Sequence, residues 1–286
     1  MVAKMMAELH GKNRIKKFRQ AAEELASRIA ALEGVAGIIY IGGLVRGFVD
    51  KYSDIDVIVL LDKNDRSLRT RAYNIGLSGK KRYGIDIDLE VHFLEDFRKW
   101  KWGEAGRWEF SKAKVAFDPK GKIKESLREK LHLPTDFWIK RIAVCTEYMK
   151  WYCCPLEEGN GTISEAWVKR GDLACAHYCL NYGVELAVRT LFALNKQFLP
   201  APKWRLFYSH SLTWLPESYE KLVKQAMIIN EFSIEEYNRR SRTIKDLWQE
   251  TKAKIEEVTG LTLEQLSRYY VEKILHQEGI PSKGTR

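Results

Sequence analysis

Two short runs in this 286-residue chain hold the side chains best placed to do chemistry: Asp54 and Asp56 at the head of DIDVIVLL, and Asp86, Asp88 and Glu90 within GIDIDLEVHFL. Residues two apart in a strand share a face. Each run therefore presents carboxylates on one side and Ile55, Val57 and Val59, or Ile85, Ile87, Leu89 and Val91, on the other. If the two strands are neighbours in one sheet, the carboxylates converge. Two such groups about 4 Å apart repel by about 4 kcal/mol at an effective dielectric near 20. A divalent cation removes that cost, and a set of hard oxygen ligands favours Mg²⁺ shared with substrate phosphates. Taken alone, the D-x-D pattern also reads as a solvated strand face that keeps an edge soluble.

The stretch before Asp54 sharpens the choice. Gly42, Gly43 and Gly47 follow the apolar VAGIIYI, and residues without a Cβ let backbone N–H groups approach phosphate oxygens. Arg46, inside the same loop, offers a guanidinium suited to phosphate. A strand, a glycine loop and a metal-ready D-x-D are what a magnesium-bound nucleoside triphosphate requires. No G-K-[ST] follows the glycines, and no G-x-G-x-x-G occurs in the stretch, which excludes a Walker loop and a dinucleotide-binding turn there.

The elements that must position these residues are legible from periodicity. Ile15, Phe18, Ala22, Leu25, Ile29 and Leu32 recur at helical spacing up to Gly34; VAGIIYI and DIDVIVLL read as buried strands; DRSLRTRAYNIGL reads as a helix. GIDIDLEVHFL alternates strictly, and AKVAFDPKGKI gives an edge strand stopped by Pro119, with a helix over residues 120–131. In FRKWKWGEAGRW, aromatics interleave with cations. That segment reads as core packing of Trp100, Trp102 and Trp108 with the cations outward, against an RNA-stacking patch.

After residue 131 strand signals vanish. The pattern predicts a helix entry at Pro134-Thr135, a long helix from Ser164 to about Asn195 ended by Pro200 and Pro202, further helices over 217–229, 233–258 and 262–277, and a frayed PSKGTR. The expected architecture is α+β in two domains: residues 1–131 with a mixed sheet and helices on one face, and residues 132–286 as an all-α bundle.

Composition adds bounds. The 48 Lys and Arg against 38 Asp and Glu give a formal charge of +10, which biases the surface toward polyanions. No apolar run reaches the roughly 20 residues that span a bilayer, and MVAKMMAELHGKNRIKKF lacks a signal-like apolar middle. The expectation is a cytoplasmic protein. The odd count of five cysteines, Cys145, Cys153, Cys154, Cys175 and Cys179, lies in apolar helical stretches and reads as buried thiols.

With these residues in view, IGGLVRGFVDKYSDIDVIVLL resembles the strand, G-[GS], spacer and S-D-[ILV]-D signature of the polymerase-beta-like nucleotidyltransferase superfamily. It looks most like the small bacterial and archaeal members, including those that modify aminoglycosides and lincosamides. The likeness is specific over the first 120 or so residues; LFALNKQFLPAPKW and the helical second half are similar in layout only.

The resemblance implies that Asp54 and Asp56 ligate Mg²⁺, that Gly42, Gly43 and the Arg46-Gly47 pair contact the phosphates, and that Ser53 orients the turn before Asp54. A third carboxylate would be a second-metal ligand or the base for the acceptor's proton. Glu90 is the first choice because LEV looks like the family's glutamate in this strand, with Asp88 second and Asp86 third; spacing does not rank them. Lys203, in APKW, would reach the triphosphate from the second domain, unless it is simply solvated beside Trp204.

Gly43 stands where the family usually has Ser. The implied reaction is transfer of a nucleoside monophosphate from an NTP, ATP first, to a hydroxyl of a small acceptor, with pyrophosphate leaving. Transfer to a protein or RNA acceptor, and a noncatalytic nucleotide- or RNA-binding module, are the alternatives.

Overall fold

A computed structural model describes residues 11–156 and 161–275. The chain divides into two compact units, one ending at Leu133 and one beginning at Pro134.

The first unit opens with α1 (Ile15–Ala30), whose Phe18, Ala21, Ala22, Leu25 and Ile29 form the buried stripe that their three- and four-residue spacing dictates. Then come β1 (Val35–Tyr40), a single-turn helix α2 (Gly42–Arg46), β2 (Asp54–Leu61), α3 (Arg66–Tyr83), β3 (Asp86–Phe93), α4 (Leu94–Lys99), α5 (Glu104–Phe110), β4 (Lys114–Phe117) and α6 (Lys122–Leu131). The strands form one mixed sheet in the order β3-β2-β1-β4. β1 is antiparallel to β2 and β4, while β2 and β3 run parallel. A parallel neighbour needs a crossover, and α3 supplies it. Asp65 starts that helix by accepting from the Leu68 N–H, and Gly84 closes it in the left-handed conformation.

One sheet face, carrying Ile38, Tyr40, Ile55, Val57, Val59 and Leu61, packs on α1 and on Leu68 and Ala72 of α3. The opposite face, expected to be free of helices, is covered over half its length. Ile39, Ile58 and Leu60 pack with Leu94 and Phe97 of α4, Phe110 of α5, and Ile123 and Leu127 of α6. The reason lies in β2 itself: the series 54, 56, 58, 60 on that face changes from aspartate to Ile and Leu after Asp56. The face is charged at one end and core at the other. The aromatic segment belongs to this core, with Phe97 fully buried, Trp108 6% exposed and Trp102 stacked on Phe110 at 4.2 Å.

The second unit comprises α7 (Phe137–Tyr152), α8 (Ile163–Lys169), α9 (Leu173–Leu194), α10 (Pro202–Ser209), α11 (Tyr219–Met227), α12 (Ile234–Thr259) and α13 (Leu263–Tyr270), which passes into a π-helical turn at Val271–Leu275. Leu180, Ala187 and Leu191 of α9 lie in its core with Ile142, Met149, Ile244 and Leu247. The single helix expected from Ser164 to Asn195 is two helices. Gly171 adopts φ +82°, and Asp172 caps a new start by accepting from the Cys175 N–H. Thr162, rather than Ser164, caps α8 through a reciprocal box with Glu165. The expected helix end at Gln277 and the terminal PSKGTR lie outside the described residues.

Cys145, Cys153, Cys154 and Cys179 are buried free thiols and Cys175 is partly exposed; burial pushes the Cys154 thiol up to about 12. Arg240 is fully buried. It donates to the Ala226 carbonyl (2.7 Å) and the Asn181 Oδ1 (2.5 Å), and its Nη1 lies 2.8 Å from His177 Nδ1. No helix among the described residues is long and apolar enough to cross a membrane.

Candidate active site

The parallel register of β2 and β3 sets Asp54 beside Asp86, Asp56 beside Asp88 and Ile58 beside Glu90. Three of these carboxylates form a group: Asp54, Asp56 and Asp88 each offer an oxygen, all within 4.8 Å of one another. At that spacing each ionised pair repels by about 3 kcal/mol at an effective dielectric near 20. Opposed oxygens on one Mg²⁺ stand about 4.2 Å apart, twice a bond of roughly 2.1 Å, so the donor set and its span fit a hard divalent cation.

The other two carboxylates are engaged elsewhere. Asp86 pairs with Lys80 at the end of α3. Glu90, the sequence-based first choice for the third carboxylate, bonds His92 Nε2 at 2.8 Å, and the His92 ring packs edge-on against Trp100 at 4.5 Å. Asp88 rather than Glu90 thus joins the aspartate pair. The register explains it, because Glu90 lies beside Ile58, where the face has already become core.

The glycine loop lies against the same aspartates. The Ile41 N–H donates to the Asp56 carbonyl at 3.2 Å, drawing the end of β1 onto β2. Gly42 has φ +67°, and a Cβ there would fall 1.9 Å from Asp56 Oδ2. A Cβ on Gly43 would meet the Phe48 carbonyl oxygen at 2.9 Å. Gly47 ends α2 at φ +91° in open space, its N–H donating to the Gly43 carbonyl. Ser53 Oγ accepts from the Asp50 N–H (3.0 Å) and donates to Asp50 Oδ1 (3.1 Å), which fixes the turn leading into Asp54.

Neighbours that sequence reasoning did not find hold this loop in place. The Gly42 N–H donates to Glu109 Oε1 at 2.9 Å. The adjacent Trp108 takes Arg46: the guanidinium stacks 3.4 Å from the indole centroid and donates to the Trp108 carbonyl at 2.7 Å. Consecutive residues of α5 thus grip both ends of α2. Asn13 adds a third tie, its Nδ2 donating to the Gly47 carbonyl at 3.0 Å. Glu109 is 67 positions from Gly42 and carries no local pattern that marks it.

Lys203, singled out from sequence, lies in the second unit, as do several charged side chains held in local pairs. Lys203 is exposed at the start of α10, its ammonium 5.9 Å from the Trp204 ring. Glu185 pairs with Arg189 at 2.7 Å and with Arg205. Asp172 is a helix cap, and Arg170 stacks on Trp167 at 4.8 Å.

The chemistry available to the first unit is that of carboxylates spaced to hold a cation, beside a glycine loop packed against them. Residues 15–152 match the nucleotidyltransferase domain family (NTP_transf_2), and residues 105–205 match a domain of unknown function (DUF4037). No curated protein matches the chain. Among solved structures, a nucleotidyltransferase-like protein from Exiguobacterium sibiricum is similar at 12% identity and a TM-score of 0.42, over 94% of this chain and 96% of that one. The family match takes in α2, Asp54, Asp56 and Asp88 together, so this segment of the chain is similar to a nucleotidyltransferase domain, whose generic chemistry is nucleotidyl transfer.

Proposed function

We propose that this chain moves a nucleoside monophosphate from a magnesium-bound NTP, ATP first, to a hydroxyl of a small-molecule acceptor. The observation that carries the reading is the Asp54, Asp56 and Asp88 group set against the Cβ-less Gly42. These three aspartates would hold Mg²⁺. When bound, the ion supplies positive charge against the triphosphate and against the charge that develops at the α-phosphate.

The chain's own residues do the rest. Gly42 lets the Asp56 carboxylate lie against the loop backbone, Gly42 and Gly43 bring that loop to the phosphates, and Gly47 and Ser53 shape the turns that hold Asp54 in place. Arg46, fixed on Trp108, keeps a positive charge at the end of α2. The acceptor oxygen bonds to the α-phosphorus as the bond to the bridging oxygen breaks, and pyrophosphate leaves with that electron pair. Glu90, oriented by His92, takes the acceptor's proton.

Calorimetric titration of the four NTPs, with and without Mg²⁺, tests the reading in wild type and in Asp54→Ala/Asp56→Ala. Magnesium-dependent binding that the variant loses supports it and names the base. Binding that ignores Mg²⁺ and yields no pyrophosphate would favour a noncatalytic module, and steeply salt-dependent RNA binding would favour a nucleic-acid acceptor.

A further inference from the structure

Within the helical unit, α8 and α12 line a cavity of about 440 Å³. Glu165, Val168 and Lys169 face it from α8, and Tyr237, Asn238, Ser241, Arg242 and Lys245 face it from α12. Both sets are single helix faces: three and four residues apart on α8, and two rows four apart on α12. The wall is firmly built. Tyr237 and Ser241 are 4% and 7% exposed, and the Tyr237 hydroxyl bonds Ser164 Oγ at 2.9 Å, which in turn lies 3.0 Å from Thr162 Oγ1 at the cap of α8.

The charges that the described residues bring to this cavity do not balance. Among them, Lys169, Arg242 and Lys245 face one acid, Glu165. Glu165 already accepts from the Thr162 N–H at 2.9 Å, and its other oxygen is 3.8 Å from Lys245, at the long end of an ion pair. Among the described residues, neither Lys169 nor Arg242 forms an ion pair. The preceding arginines of α12 behave differently: Arg239 binds Glu236 at 2.7 Å, and Arg240 is enclosed by acceptors. Three cations around one opening repel each other, and a bound anion reverses that cost.

We propose that this cavity, lined wholly by residues of the helical unit, binds a phosphorylated small molecule without drawing on the carboxylate group of the first unit. Arg242 presents the planar fork that matches phosphate oxygens, with Lys169 and Lys245 as point charges beside it. A volume near 440 Å³ falls within the roughly 300–1,000 Å³ of small-molecule sites and leaves room beyond one phosphate. That remaining space is bounded by the apolar Val168, the Tyr237 ring and the hydrogen-bonding Asn238 and Ser241, surfaces suited to a polar organic body such as a sugar.

The test titrates ribose 5-phosphate, and separately inorganic phosphate, into the full chain by calorimetry at constant ionic strength. It compares wild type with Arg242→Ala, Lys169→Ala and Asp54→Ala/Asp56→Ala. The expected result is that ribose 5-phosphate binds more tightly than phosphate, that Arg242→Ala and Lys169→Ala each weaken it at least about tenfold, and that Asp54→Ala/Asp56→Ala leaves it unchanged. Magnesium-dependent NTP binding should persist in Arg242→Ala, and its circular dichroism spectrum and urea midpoint should match wild type, which shows that the helical unit is folded.

Absence of binding up to about 10 mM, a dissociation constant too weak for a built site, would overturn the proposal. So would binding that survives both cavity variants. Tighter binding of a single-stranded RNA oligonucleotide, lost in Arg242→Ala and steep in salt, would replace the small molecule with nucleic acid and overturn it equally.

Discussion

Gly42 and Asp56 occupy space that only a glycine can share: a Cβ at position 42 would lie 1.9 Å from the Asp56 carboxylate oxygen. The backbone at Gly42, at φ +67°, disfavours an L side chain as well. Gly42→Ala must push Asp56 off its position, so magnesium-dependent NTP binding should fall by at least about a hundredfold, a loss of roughly 3 kcal/mol. Gly47→Ala is the control. It meets φ +91° but open space, so it should cost about 1–2 kcal/mol of stability with nucleotide binding retained. Calorimetry and urea unfolding on both variants check the contrast.

The three carboxylates of β3 should separate by function. Asp88→Asn, within the group of three, should weaken magnesium-dependent NTP binding. Glu90→Gln should leave that binding near wild type while turnover drops by about 10²-fold or more, the scale of a lost general base. Asp86→Asn removes only a surface partner of Lys80 and should change neither beyond about twofold. Titration and pyrophosphate release, measured on the same three variants, provide the test. A binding loss confined to Glu90→Gln would return the ligand role to Glu90.

Glu109 occupies the Gly42 N–H with a negative charge. Glu109→Gln retains an acceptor oxygen for that amide and removes the charge from the neighbourhood of a triphosphate. NTP affinity should rise about threefold, on the scale of a partly solvated charge interaction. An unchanged or weaker dissociation constant would show that the carboxylate supports the loop rather than competing at it.

Acid should destabilise the helical unit earlier than its carboxylates alone would dictate. Burial first, and then Arg240, hold the His177 pKa below its ordinary 6.5; burial likewise lowers that of His210 against the pull of Glu220. The unfolded chain therefore binds protons that the folded one refuses, and stability should decline as pH falls below about 6.5. Glu236 behaves otherwise. Its hydrogen bond with Arg239 holds its carboxyl down to about 2, so its contribution persists until pH falls below about 4.5 and toward 2. Urea midpoints between pH 5 and 8 should thus slope downward toward acid, and His210→Gln should flatten part of that slope.

Strict alternation over Asp86–Phe93 and helical spacing over α1 made those elements legible, because each buries one face and the period records it. The same alternation could not choose among Asp86, Asp88 and Glu90, which all point one way. The choice came from partners in other elements, Lys80 on α3 and the aspartates of β2 in parallel register. α2 was hidden because a single turn has no period, and the break at Gly171 because the apolar pattern runs straight across it. Glu109, and the hold of Trp108 on Arg46, were invisible for a different reason: they depend on where α5 docks, which no local rule encodes.

Gly43 sets a limit on what its position can hold. A serine in that position, usual in the resembled superfamily, would meet the Phe48 carbonyl oxygen at 2.9 Å and the Val49 side chain at 3.2 Å. One of these obstacles is backbone, so relief requires the Phe48–Val49 segment to shift. The loop is closed around a residue without a side chain, and any larger residue at position 43 has to be accommodated by moving backbone rather than by turning a rotamer.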